Sequence, residues 1–204
     1  MIKFGKDSHI RHKLAFAAVC IAVNIAGKYF TDSLELPFWL DTAGTCLSAC
    51  ILGPWYGAAV GLISNLAMGI SDFIAVLYCL INAGIGIITG YAAKRKMFRD
   101  LFNILCLSVI TGFFSVICAV PLNCAFNNGM INNKWGDALF QMLENYSISV
   151  PLRSICGQAF IDIPDKVVTL LAVFLILDFL KKQGLVSLDE EKLEEQASGF
   201  GESL

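Results

Sequence analysis

No charged residue occurs from Thr42 to Ile70, a stretch that reads TAGTCLSACILGPWYGAAVGLISNLAMGI. An uncharged run of this length has to be buried in protein or in lipid, and Gly53-Pro54 divides it into two apolar segments. Counted from Phe38, each segment has about sixteen residues, roughly 24 Å of helix, short against a hydrocarbon core of about 30 Å. Small residues crowd both halves: Ala43, Gly44, Ser48 and Ala49, then Gly57, Ala58, Ala59 and Gly61. Such residues let helix backbones approach closely inside a bilayer. The hairpin is therefore expected to be sheltered by longer helices. Its polar groups, Asp41 and Asn65, sit at the ends away from the Gly-Pro corner.

Composition extends this reading to the whole chain. Of 204 residues, 56% are hydrophobic and only 16% charged, where a soluble domain carries about 25%. The expectation is an integral membrane protein with room for about six spans and no sizeable soluble domain. The eight cysteines do not suggest a disulfide framework, because Cys20, Cys46, Cys50, Cys79, Cys106 and Cys118 lie in apolar runs as small hydrophobes. Cys124 and Cys156 flank the longest loop, but spacing alone does not establish bridge geometry. The basic start runs into a full span with no small-residue cleavage site, so no cleavable signal peptide is expected.

Lys13–Phe30 reads as the first span, and the halves of Phe38–Ile70 as the second and third. Phe73–Ala93 and Leu101–Leu122 follow. Val167–Leu180 is too short to cross alone, so the last helix must begin upstream, near Gly157, and contain Pro164. A proline there leaves the carbonyl of Phe160 without its amide partner and is expected to kink the helix. Asn123–Arg153 is a polar loop; within it Ala138, Leu139, Met142 and Leu143 predict a short helix over Gly136–Tyr146, lying on the membrane or covering the bundle end. The predicted architecture is an all-α, six-transmembrane-helix bundle over residues 1–183, then an acidic tail over 184–204. In that tail Ser187 and Glu190 have the spacing of a capping box.

Basic residues set the orientation. Lys3, Lys6, Arg11 and Lys13, then Lys94, Arg95, Lys96 and Arg99, then Lys181 and Lys182 fall on one side; only Lys28, Lys134, Arg153 and Lys166 fall on the other. The imbalance predicts both termini in the cytoplasm. Trp55 and Tyr56 at the Gly-Pro corner suit interfacial anchors, which favours two crossings over a re-entrant dip.

With the orientation fixed, the intramembrane polar residues gather in the outer half: Asn24, Asp41, Asn65, Asn82, Asn123, Gln158, Asp162, Asp165 and Lys166. Ionisable residues at that depth are costly, so a polar pocket opening outward is expected. Plainer roles compete residue by residue. Asp162 and Lys166 have the i, i+4 spacing of an intrahelical ion pair, Asp41 could N-cap the second span, and asparagines can join helices. Trp39, Tyr78 and Trp135 lie at the same level, either to stack on a flat ligand or as an interfacial belt. The candidate binding set is Trp39, Asp41, Asn65, Tyr78, Asn82, Asn123, Gln158, Asp162 and Lys166.

Catalytic constellations are missing. The sequence has no G-x-S-x-G, H-E-x-x-H or Walker lysine loop, its only histidines are His9 and His12 near the N-terminus, and no metal set is complete. The chain reads as a non-enzyme without cofactor, so uphill transport would need an ion gradient or a separate ATPase. In the first span Ala18, Ala22 and Ala26 recur at every fourth position, a smooth stripe suited to close helix contact inside or outside the bundle.

The alanine stripe, LPFWLDTAGT…LGPWYGAAVGLISN, VPLNCAFNNG and FIDIPDK, in this order, make the chain from Lys13 to Lys182 resemble the substrate-binding membrane subunit (S component) of energy-coupling factor transporters. The resemblance implies a six-helix bundle with an outward pocket, a vitamin-like ligand, and location in a bacterial or archaeal plasma membrane. It also implies partnership with a transmembrane coupling subunit and two cytoplasmic ATPases, with Ala18, Ala22 and Ala26 contacting the coupling subunit. An autonomous transporter driven by protons through Asp41, Asp162 or Asp165, and a membrane sensor domain, are the rival readings.

Overall fold

The computed structural model describes residues 8–70 and 73–183; the acidic tail and its capping box lie outside them. Among the described residues the chain forms α1 (Ser8–Ser33), α2 (Ala43–Leu52), α3 (Pro54–Met68), α4 (Phe73–Leu77), α5 (Cys79–Lys94), α6 (Leu101–Phe126), α7 (Lys134–Glu144) and α8 (Val150–Lys182). A single 3₁₀ turn, Met97–Arg99, precedes α6. No strand occurs among the described residues.

An apolar core that includes Ile85, Ile104, Leu107, Leu170 and Leu177 is combined with a strongly apolar exterior and many buried polar groups. Val19, Val23 and Phe30 of α1, Phe102, Phe113 and Ile117 of α6, and Phe160, Leu175 and Phe179 of α8 are exposed. Asn24, Thr45, Ser64, Asn82, Thr111, Asn123, Gln158, Asp162, Asp165 and Lys166 are buried. Apolar surface of this extent is stable against lipid, and the polar groups inside are left to bond to one another. Ile10–Ser33 and Leu101–Phe126 are each long and apolar enough to cross a membrane.

Of the uncharged hairpin, α2 is the inner helix, whereas α3 also exposes Trp55, Ile63 and Leu66. Six of the ten residues of α2 are buried, Gly44, Thr45, Cys46, Ser48, Ala49 and Ile51. Gly53 makes the corner at φ 108°, a backbone conformation favoured by glycine, and Pro54 opens α3 at its first turn. Trp55 at that corner is 71% exposed. Helices α3 and α5 run antiparallel in near backbone contact, because a Cβ on Gly86 would lie 2.5 Å from the carbonyl carbon of Gly57. The pair α6 and α8 forms the second wall, with Gly112 against Ile163.

Several boundaries differ from the sequence expectation. The apolar segment from Phe73 is broken at Tyr78, so α4 and α5 replace one continuous helix. Helix α8 begins at Val150, seven residues before Gly157, with Pro151 in its first turn, where a missing amide costs nothing. It runs through Pro164 to Lys182 without interruption. The loop helix α7 starts at Lys134 rather than Gly136, because Asn133 caps it by accepting the amides of Trp135 (3.1 Å) and Gly136 (3.4 Å). All eight cysteines, Cys124 and Cys156 included, are free thiols.

Candidate functional site

A cavity opens at one end of the bundle, enclosing about 700 Å³ including its open mouth. Its walls come from the last turns of α1 and α3, the approach to α2, α4, the start of α5, the second half of α6, the loop before α7 and the first half of α8. Antiparallel packing brings those helix ends together and leaves Lys94, Arg95, Lys181 and Lys182 at the other end.

An amide network fixes the floor. Asn24 donates to Thr45 Oγ1 (2.8 Å) and Ser64 Oγ (3.1 Å) and accepts the amide of Gly44 (2.7 Å), joining α1, α2 and α3. Thr45 Oγ1 then donates to Asn82 Oδ1 (2.8 Å), and Asn82 Nδ2 donates to Asn65 Oδ1 (2.7 Å) and to the carbonyl of Asp41 (3.2 Å). Asn65 Nδ2 reaches the carbonyl of Ala75 (3.1 Å). Each buried amide has partners on another helix, so the network both orders the helices and pre-sets the cavity face.

The charged wall belongs to α8. Asp165 Oδ1 accepts the backbone amides of Trp39 (3.0 Å) and Leu40 (2.9 Å), and its Oδ2 accepts Lys166 Nζ at 2.5 Å. Leu40 sits at φ 49°, uncommon for a bulky residue, and is held there between Asp165 and α1, where a Cβ on Gly27 would meet its carbonyl oxygen at 2.3 Å. Asp162 Oδ1 accepts the indole N–H of Trp39 (3.1 Å). The expected ion pair of Asp162 with Lys166 is therefore replaced: Lys166 pairs with its neighbour Asp165, and Asp162 with an aromatic 123 residues away. Asp41 does not cap α2 either; Thr42 holds that position and no side chain makes the capping bond.

The mouth is framed by two loops tied to each other. Lys134 pairs with Glu35, the indole N–H of Trp135 donates to the carbonyl of Glu35 (2.7 Å), and Asn133 Nδ2 donates to the carbonyl of Leu36 (3.2 Å). Beneath α7, Arg153 lies 3.0 Å from Glu144 and stacks over Phe140 at 4.5 Å. Burial pushes the Asp137 carboxyl above its ordinary range, against the pull of the Ile131 amide, which it accepts at 2.6 Å.

The family profile "ECF transporter, substrate-specific component" matches residues 12–180. The chain belongs to this family. No curated protein and no solved structure gives a match. As an ECF substrate-specific component it is a membrane protein and a transport-related substrate-binding subunit.

Of the residues singled out from the sequence of this ECF component, Trp39, Asp41, Asn65, Tyr78, Asn82, Gln158, Asp162 and Lys166 line the cavity. Asn123 stands behind them, accepting the Tyr78 hydroxyl and donating to Gln158 Oε1 (2.8 Å). Trp135 is outside, 51% exposed in the loop clasp. Lys28, Thr42, Met68, Ser115, Ile131 and Asn132 also line the cavity without having been singled out. Lys28 had a signal in its i, i+4 spacing to Asp32, to which it bonds at 2.6 Å, and it lies 4.5 Å from the Trp39 ring centre. Asn132 had none, since a left-handed turn (φ 62°) in a polar loop brings it to the mouth. On α1 the stripe Ala18, Ala22 and Ala26 is exposed, while Cys20, Asn24 and Thr31 face inward.

Proposed function

We propose that this chain captures a vitamin or related micronutrient outside the cell and delivers it for ATP-driven uptake. The observation that carries this reading is the cavity: buried, mutually bonded polar groups at the end of the bundle remote from the basic helix ends. Basic residues favour the cytoplasmic side, so the mouth faces outward in a six-span arrangement with both termini inside. The partners we infer are a transmembrane coupling subunit and, through it, two cytoplasmic ATPases, in a bacterial or archaeal plasma membrane; membership in a transporter family supports this reading. The exposed Ala18, Ala22 and Ala26 offer a close-contact face on the side of α1 away from the cavity network.

In this reading Trp39, Asp41, Asn65, Tyr78, Asn82, Gln158, Asp162 and Lys166 face the ligand, and Asn123 orients Tyr78 and Gln158. Native mass spectrometry of the chain purified from its host should show a bound small molecule. Proteoliposomes carrying the chain with its coupling module should accumulate that molecule only with ATP inside the coupled compartment. Uptake driven by a pH gradient, with this chain alone, refutes the proposal in favour of a proton-coupled carrier.

A further inference from the structure

Two carboxylates, Asp41 and Asp162, and two ammonium groups, Lys28 and Lys166, line the cavity, and both ammonium groups pair with carboxylates outside the lining. Asp165 is fully engaged, by two backbone amides and by Lys166. Lys28 is engaged as well, donating to both oxygens of Asp32 at 2.6 and 2.7 Å. Asp41 and Asp162 remain, and neither forms an ion pair among the described residues. Asp162 is 1% exposed, and its Oδ2 has no hydrogen-bond partner there. Thr42 Oγ1 is also buried without a partner. A buried oxygen left without a donor loses its hydration and gains nothing in return.

We propose that the ligand of this cavity is a small organic cation bearing N–H donors, held by Asp162, Asp41 and Thr42, with a flat apolar part against Tyr78 and Ile81. The proposal rests on the reading of the cavity as the transported molecule's site. An ammonium carries three donors, and Asp41, Asp162 and Thr42 all line the cavity, with Asp162 Oδ2 and Thr42 Oγ1 lacking a hydrogen-bond partner among the described residues. An anion would have to share Lys166 with Asp165 or Lys28 with Asp32, and would lie beside the Asp41 and Asp162 carboxyls.

The test uses the full chain in nanodiscs, titrated calorimetrically with benzylammonium, benzyl alcohol and benzoate, which share a ring and differ in charge. Benzylammonium should bind at least about tenfold more tightly than the other two, a difference of ~1.4 kcal/mol. Asp162→Asn should remove most of that preference, chiefly by weakening benzylammonium, and Asp162→Glu should retain it. Asp41→Asn should act in the same direction, and carries the test if Asp162→Asn does not fold. Equal affinities, a preference for benzoate, or no binding of benzylammonium at millimolar concentration each overturns the cation assignment. ATP-dependent uptake is scored separately: uptake of an anionic molecule by the complete complex overturns the assignment and leaves the subunit reading intact. Uptake without ATPases refutes that reading, while the charge preference is still decided by the titration.

Discussion

Ala22→Trp separates an external docking face from internal packing. Ala22 is exposed at the centre of the stripe, whereas Cys20 and Asn24 on the neighbouring face are buried against α2. The new ring projects away from the bundle and displaces no packed atom, so stability should change by no more than about 0.5 kcal/mol. Affinity for the cavity ligand should stay within about threefold, ~0.7 kcal/mol. Docking should respond differently. A gap of about 1 Å already forfeits a quarter to a half of each dispersion contact, and an indole holds an opposing backbone further away than that. ATP-dependent uptake and co-purification with the coupling subunit should both be lost. The control is Gly44→Ala on the facing surface of α2, where the added Cβ would lie 1.9 Å from the carbonyl oxygen of Cys20. Overpacking there should cost about 1–3 kcal/mol and lower the unfolding temperature. Measurements are thermal unfolding, calorimetric titration and uptake in proteoliposomes. Normal uptake by Ala22→Trp, or equal loss of stability, binding and uptake, would refute the docking argument.

Three further outcomes are expected. Asn82→Leu strands Asn65, Thr45 and the carbonyl of Asp41 together, and should lower stability by at least about 2 kcal/mol in thermal unfolding, with ligand affinity falling alongside. In a background cleared of accessible cysteines, Asn132→Cys should react with an impermeant thiol reagent from outside intact cells and Lys96→Cys should not; the opposite pattern reverses the orientation. Because the folded state raises the Asp137 carboxyl, ionisation there opposes folding, and stability should rise as pH falls through the folded value. Asp137→Asn keeps the acceptor for the Ile131 amide and should abolish that component; an unchanged stability–pH curve in the variant counts against it.

The sequence by itself determined the features that are local or periodic. The uncharged run and Gly53-Pro54 specify a tight hairpin, because an uncharged apolar stretch must be buried in protein or lipid and glycine tolerates the φ of 108° that turns it. Four-residue spacing put Ala18, Ala22 and Ala26 on one face, and the same spacing placed Cys20 and Asn24 on another. The concentration of polar residues in corresponding halves of alternating helices marked one end of the bundle as the polar end. Only the tertiary structure decided how those residues are used. Periodicity states that Asp162 and Lys166 can meet, but not that Asp165 takes the lysine and Trp39 takes Asp162, since Trp39 arrives from a loop over 120 residues away. Asn24 turns inward to organise three helices, and Lys28 stands over the Trp39 ring because Asp165 and Gly27 fix the path of residues 39 and 40. A buried polar group bonds to whatever partner the packing brings within about 3 Å, and that proximity is a property of the assembled helices rather than of any local stretch of chain.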